Sequence, residues 1–254
     1  MWDAFVQLLF NVWQFLSGLV GDWGLGLVLF TVIIRLAIMP LMTKSVASNA
    51  KMQALQPLIQ EMQEKYADDP QRLNEEMRKF QAENDFNPLG GCLPLLIQMP
   101  ILMAMFSAMR MIDTVDPTPS FLGWLPMDST ASAAFADGGF VQAGPYLLCL
   151  LLAGVLTAIP MLLNMTNVPE ESRGMSIGMT VMTSGMLMWF GWGMPFAIDL
   201  YYVVSAVWQV AQQVLVTNRV MAKVKEEEAQ RLENRGVQVD VVRKEKKKRP
   251  KKKG

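Results

Sequence analysis

Arg35 is the residue of this 254-residue chain whose position most restricts what its side chain can do. It falls inside the apolar stretch Gly24–Thr43, nine residues before Lys44. On a helix rising ~1.5 Å per residue, that places it ~13 Å from the basic end of the stretch. A guanidinium at such a depth in a bilayer costs from ~3 to more than ~10 kcal/mol, and it persists where it faces a wet cavity or a carboxylate. The other apolar stretches contain one acid, Asp199, near the outer end of the last of them and at the wrong depth for a direct pair. The spacing therefore predicts a water-filled cavity holding an unneutralised positive charge. Other polar residues could line it: Gln98 in the second stretch, Thr157 and Asn164 in the third, Thr180, Thr183 and Ser184 in the fourth. In the fifth, Gln209, Gln212 and Gln213 fall at i, i+3 and i+4, on one helix face with Ser205 and opposite Val203, Val207 and Val214. Taken singly, such residues more often make an interhelical hydrogen bond than a site.

Most enzyme chemistries have no residues to work with. Histidine is absent, which removes the commonest general base and zinc ligand. Neither H-E-x-x-H nor G-x-S-x-G occurs, and one acid at a span end makes neither a carboxylate dyad nor a proton relay. The expectation is a non-enzyme with no metal and no cofactor. Two cysteines make no disulfide framework, and Cys92 and Cys149 are expected near opposite membrane faces, out of bonding reach. The 21 methionines suit a surface that accepts varied apolar sequences, and equally well fill gaps between helices.

The elements that position Arg35 follow from hydropathy and charge. Hydrophobic residues make up 52% of the chain and charged ones 18%, a shift toward the membrane class. The 23 basic and 23 acidic residues cancel, but they are segregated. Lys and Arg are missing from residues 1–34 and from Met111–Gly144, which holds Asp113, Asp116, Asp128 and Asp137; they cluster in 44–90 and after Arg219. That alternation is what the positive-inside rule produces. Five stretches approach the ~20 residues needed to cross a bilayer: Gly24–Thr43, Gly91–Met111, Pro145–Met165, Met175–Phe190 and Pro195–Val216. An all-α polytopic membrane protein is expected, with its N-terminus outside and its C-terminus in the cytoplasm. Residues 1–22 read as an amphipathic helix in the outer interface, 23–45 as span one and 46–90 as a cytoplasmic helical hairpin. Residues 91–218 then supply spans two to five with an acidic outer loop at 112–144, and 219–254 a basic tail. In the hairpin, Met52, Leu55, Ile59 and Met62 stripe one arm and Leu73, Met77 and Phe80 the other, with Asp69-Pro70 as cap and first residue of the second. The run from Arg243 is basic and of low complexity, hence disordered.

Four segments in succession, IIRLAIMPLMTKSVASNAKMQALQP, IQEMQEKYADDPQRLNEEM, NPLGGCLPLLIQMPILMAMF and LYYVVSAVWQVAQQ, closely resemble the YidC-type membrane protein insertases, relatives of the mitochondrial Oxa and thylakoid Alb proteins. The likeness runs from about Trp2 to Arg219 with spacings intact. It implies insertion and chaperoning of newly made membrane proteins, without nucleotide hydrolysis, through a hydrophilic groove open to cytoplasm and lipid. Arg35 matches the groove arginine, and Gln98, Asn164, Gln209 and Gln212 are candidates to line the groove. The resemblance also implies a bacterial inner membrane, nascent membrane proteins as substrates and a lipid bilayer as partner. It further suggests that the basic tail docks on the ribosome, and that the hairpin meets the Sec translocon and the signal-recognition-particle receptor. A large outer domain and a lipoprotein-type signal are not seen, as expected of the short bacterial form or of a trimmed chain. Two other readings remain open: an assembly scaffold recruiting partners through hairpin and tail, and a transporter using Arg35 as an anion site.

Overall fold

A computed structural model describes residues 1–84, 93–112, 115, 118–165 and 170–234. Cys92, the Asn87–Gly91 turn, Asp113, Asp116 and the tail from Arg243 lie outside them. Among the described residues, eight α-helices follow one another: α1 (Trp2–Val20), α2 (Trp23–Lys65), α3 (Pro70–Glu83), α4 (Leu93–Met109), α5 (Ala131–Asn164), α6 (Glu170–Gly191), α7 (Phe196–Gln212) and α8 (Asn218–Asn234). A π-helical turn, Gln213–Thr217, joins α7 to α8. Two short strands, β1 (Ser120–Phe121) and β2 (Leu125–Pro126), pair antiparallel between α4 and α5. The chain forms two compact units, Met1–Val46 with Leu89–Val220, and Ala47–Pro88 with Met221–Gly254.

Among the described residues, three helices are both long and apolar enough to cross a membrane, α1, α2 and α5, and a shorter apolar helix covers Gln98–Met109. The difference from a sequence count of five lies in length for α4 and α7 and in composition for α6, whose 22 residues mix glycine, serine and threonine with the methionines. Helices α4 and α7 run 17 residues each, and α7 passes into α8 through the π turn rather than ending at an apolar boundary. No break separates the expected span one from the first hairpin arm either. Residues 23–65 are one helix, because Ala47, Ala50 and Ala54 continue helix-forming sequence where the hydropathy falls.

The first unit packs inside out relative to a water-soluble domain. On α2, Leu25, Leu29, Ile33 and Leu36 are exposed along one helical stripe, and on α6 so are Met175, Met179, Met182, Met186 and Trp189. Side chains of this kind face outward where the solvent is hydrocarbon. Small residues line the contacts between helices: Ala104 and Ala108 on α4, Ala153 and Gly154 on α5, Ala197 and Ala206 on α7 are all buried. Without a hydrophobic force to drive helices together in lipid, close backbone approach supplies the dispersion contact. A Cβ at Gly154 would lie 2.9 Å from Met188 Sδ, so α5 and α6 meet there with no room to spare.

Helix α1 joins this core. Val6, Phe10, Trp13, Leu16 and Ser17 are its buried residues, while Trp2, Phe5, Phe15 and Leu19 are exposed. Trp13 is completely buried, donates through Nε1 to the Trp23 carbonyl at 3.0 Å, and stacks edge-on against the Trp23 ring.

The 112–144 segment, expected as a loop, is built. Leu122 (φ 54°) and Gly123 (φ 76°) sit at the centre of the turn joining β1 and β2, both in the left-handed region that a type I′ turn requires. Thr130 caps α5 by accepting from Ala133 N at 3.0 Å, so the helix begins fourteen residues before Pro145. A kink at Gly138 and Gly139 (φ 64°) separates that early part from the rest. Backbone hydrogen bonds then tie the segment to the α6–α7 turn: Ser132 N to Trp192 O (2.9 Å), Phe196 N to Ser129 O (2.8 Å) and Ala197 N to Met127 O (3.0 Å).

The second unit has its own small core. Leu55 and Leu232 are buried against Met52, Leu58, Ile59 and Phe80, so α8 packs on the arms of the hairpin. Asp69 caps α3 by accepting from Arg72 N at 3.0 Å, with Pro70 at the first helical position. Lys51 Nζ lies 3.3 Å from Glu228 Oε1, and Arg231 reaches the Glu83 carbonyl at 3.4 Å. The helical character of 218–234 was not expected from a segment read as part of a basic tail. Its alternating Lys223, Lys225, Glu226, Glu227, Glu228 and Arg231 conceal two buried apolar residues, Met221 and Leu232.

Candidate functional site

Three helices of the first unit converge on one hydroxyl. Tyr201, in the second turn of α7, is 3% exposed. The guanidinium of Arg35, on α2 and 8% exposed, hydrogen-bonds to it, and Gln98 on α4 donates Nε2–H to the same oxygen at 3.1 Å. Two of the sequence candidates, Arg35 and Gln98, are thus brought together through a residue that sequence reasoning passed over. A tyrosine in the run Leu200-Tyr201-Tyr202-Val203 reads as an interfacial anchor, and nothing in its spacing marks it as an acceptor for a cation 166 residues earlier. The one signal was chemical: a buried arginine with no carboxylate at its depth needs a neutral oxygen.

Arg35 makes no ion pair among the described residues. Asp199 is 1% exposed and sits two residues before Tyr201, a spacing that points it to another side of α7, where its Oδ1 approaches Gly191. The positive charge therefore meets oxygen dipoles rather than a counter-charge. Tyr201, accepting twice, can still donate its own proton to a third group. One turn beyond it, Ser205 is buried with its hydroxyl unpartnered among the described residues. Thr31, one turn before Arg35 on α2, spends its hydroxyl on the Leu27 carbonyl at 2.7 Å.

The other candidates stand apart from this centre. Gln209 is exposed, and Gln212 accepts from Trp208 Nε1 at 3.1 Å. They lie on α7 roughly 12 and 17 Å along the axis from Tyr201 at ~1.5 Å per residue. Gln213 is buried and donates to Asn218 Oδ1 at 3.0 Å across the π turn. Asn164 is half-buried at the end of α5. Thr157 and Thr180 bond the carbonyls of Ala153 and Ser176 in their own helices. Cys149 is a free thiol, buried on α5.

On the other side of Tyr201, a cavity of about 400 Å³ lies between α4 and α7. Methionines dominate its wall, Met103, Met105, Met109 and Met194, with Ile198 and Tyr202 beside them. Arg110 stands at its edge, its guanidinium 4.8 Å from the centre of the Phe106 ring. Tyr201 thus belongs both to the polar centre at Arg35 and to an apolar, adaptable wall, an arrangement that can hold a polar chain end and an apolar segment side by side. Among the described residues, no group of acids and thiols is arranged to hold a metal ion.

Comparison with known proteins supplies an independent view. The family described as "60Kd inner membrane protein" matches residues 15–224. The membrane protein insertase YidC of Enterococcus faecalis is 35% identical over 236 residues, covering 91% of this chain and 80% of the relative. That of Caldanaerobacter subterraneus is 33% identical over 200 residues, covering 79% and 87%. The YidC of Haemophilus influenzae is 33% identical over 218 residues, and there the match spans 37% of the relative's length. A crystal structure of an active YidC insertase with its first transmembrane domain resolved superposes with a TM-score of 0.57 at 27% identity, over 85% of this chain and 47% of that one.

Proposed function

This chain belongs to the 60Kd inner membrane protein family, and from that premise we propose that it inserts newly made membrane proteins into a bacterial membrane, with Arg35 receiving the segment that must cross. Its nearly all-helical fold, with lipid-type exposure of leucine and methionine, is that of an integral membrane protein of the YidC kind. The reading assigns five spans to α2, α4, α5, α6 and α7, with α1 at the outer face and the α2–α3 hairpin in the cytoplasm.

The observation that carries this reading is Arg35, buried, charged and bonded to a neutral hydroxyl. An acidic segment entering from the cytoplasm gains a charge-assisted hydrogen bond to a guanidinium, at a depth where a single charge is otherwise costly. From there it has part of the membrane left to cross. The apolar helix that follows moves past the methionine wall into lipid, and transfer of its side chains to hydrocarbon drives the step, so no nucleotide is consumed. The tie between the 112–144 segment and the α6–α7 turn fits a groove closed on the outer side. Gln209, Gln212 and Asn164 extend the polar path in this reading. The basic tail meets ribosomal phosphate by counterion release, and the hairpin contacts the Sec translocon and the signal-recognition-particle receptor.

Insertion of a single-span substrate with an acidic outer tail into proteoliposomes tests the proposal. Arg35→Ala is expected to insert at about a tenth of the wild-type rate or less, as for loss of a charge-assisted contact of ~1.5–3 kcal/mol, while Arg35→Lys keeps most of it. Insertion by Arg35→Ala at the wild-type rate would sink it.

A further inference from the structure

The second unit carries a groove of about 400 Å³ between the hairpin and α8. Leu58, Met62, Phe80 and Leu232 give it an apolar floor. Glu61 and Glu83 stand exposed along it and make no ion pair among the described residues, while Glu76 is taken by Lys79 at 2.8 Å. Lys65 is the one cation in the lining. Whatever fills this groove should be apolar along one part and strongly basic along the next.

The chain that leaves α8 has that composition in that order. Leu232 belongs both to the floor and to the last turn of α8, which ends at Asn234. Gly236 follows two residues on in the sequence. Then come Val237, Val239, Val241 and Val242, and after them the run Arg243–Lys253, in which Glu245 is the one acid among its charged residues. Five residues of extended chain reach at most ~18 Å, so Val237 is tethered within reach of the floor from Leu232. At that tether length the local concentration of the segment is in the millimolar range, and a weak site is then occupied.

We propose that this groove is the seat of the chain's own C-terminal segment, with the Val237–Val242 stretch on the apolar floor and the Arg243–Lys253 run against Glu61 and Glu83. The apolar contact fixes the register, and the charges add attraction that salt weakens. Seated there, the basic run is held away from phosphate-bearing partners, so a polyanion that captures it must first displace it from the glutamates. The inference concerns the second unit alone and does not rest on the insertase reading.

Carbodiimide coupling tests it on the unaltered full chain in nanodiscs of zwitterionic lipid. Activated carboxylates join to lysines within contact, and the joined peptides are read by mass spectrometry on a mixture of isotopically heavy and light chains. Links from Glu61 and Glu83 to tail lysines are expected within single chains, about fivefold more frequent than from Glu64 and Glu75, exposed glutamates outside the groove, and about fivefold weaker in 1 M salt. The double variant Val239→Asp and Val241→Asp, which alters the tail alone, should bring Glu61 and Glu83 down to the level of the controls. Equal coupling at Glu64 and Glu75 overturns the proposal. So do links that join heavy to light chains, which would make a second copy the occupant, and a valine variant that couples as well as wild type.

Discussion

The two units of this chain solve the problem of charge in opposite ways. In the first, the Arg35 guanidinium is buried with no ion pair among the described residues, beside a tyrosine hydroxyl that also accepts from a glutamine amide. In the second, charges are plentiful and paired: Lys79–Glu76 lies near water, Lys51–Glu228 is largely buried, and a few apolar side chains close the fold. A paired charge in a low-dielectric site is quenched, and its field no longer reaches a newcomer. The first unit leaves its charge available where a newcomer would feel it most. The second unit holds its charges in ion pairs, both at the surface and in its interior.

The sharpest way to break this contrast is to remove apolar volume from the second unit. Leu55 is completely buried, and Leu55→Ala should destabilise that unit by about 2–5 kcal/mol, the range for a leucine truncated in a closed core. Hydrogen exchange on α3 and α8 would show the opening, while amides of α5 and α7 keep their protection. Equal loss of protection in α5 would mean that the two units unfold as one, and the division of labour drawn here would fail.

How much of this was legible beforehand depended on the range of the interaction. Arg35 could be read because its cost is set by its own position in an apolar stretch, and Asp69-Pro70 because a cap is decided within four residues. Arg35 and Gln98 were separately visible, but their meeting point, Tyr201, was not: hydropathy says which residues are unusual at a given depth, not which face each helix turns to its neighbour. The 112–144 segment was opaque for a related reason. Its structure rests on backbone hydrogen bonds to the α6–α7 turn, and backbone groups carry no sequence signal. Helix α8 was hidden by its charge, since its buried side is Met221, Glu228 and Leu232, and a carboxylate in the middle of that stripe reads as a solvated position.

Tyr201→Phe is a subtler probe, because it removes one oxygen and leaves the ring. Both Arg35 and Gln98 then lose their shared acceptor, and a buried donor left unsatisfied costs about 1–3 kcal/mol. The melting temperature should fall. Insertion of an acidic-tailed substrate should fall less than in Arg35→Ala, because the charge remains. Gln98→Leu, which frees one lone pair of the hydroxyl without stranding Arg35, should be milder still. If Tyr201→Phe abolishes insertion while Arg35→Ala does not, the hydroxyl and not the charge is the receiving group, and the contrast between the units has to be redrawn.

The smallest effect is expected at the surface of the second unit. The Lys79 ammonium, 2.8 Å from Glu76 Oε1, holds the Glu76 carboxyl below its ordinary value, and Glu76 in turn raises Lys79. A carboxyl depressed in the folded state contributes stability above its unfolded value and loses it as pH falls through the folded one. Lys79 is exposed and Glu76 half-exposed, so screening leaves little of the pair, and Lys79→Ala should not move the melting temperature at neutral pH. The measurable change is the titration of Glu76 itself, followed by carbon-detected magnetic resonance. In Lys79→Ala its midpoint should rise toward that of an ordinary glutamate, and 1 M salt should raise it in the wild type too. A midpoint that stays low in the variant would point to another cation at the groove, and Lys65 and Arg72, the remaining positive charges acting on this carboxyl, would be the first to substitute.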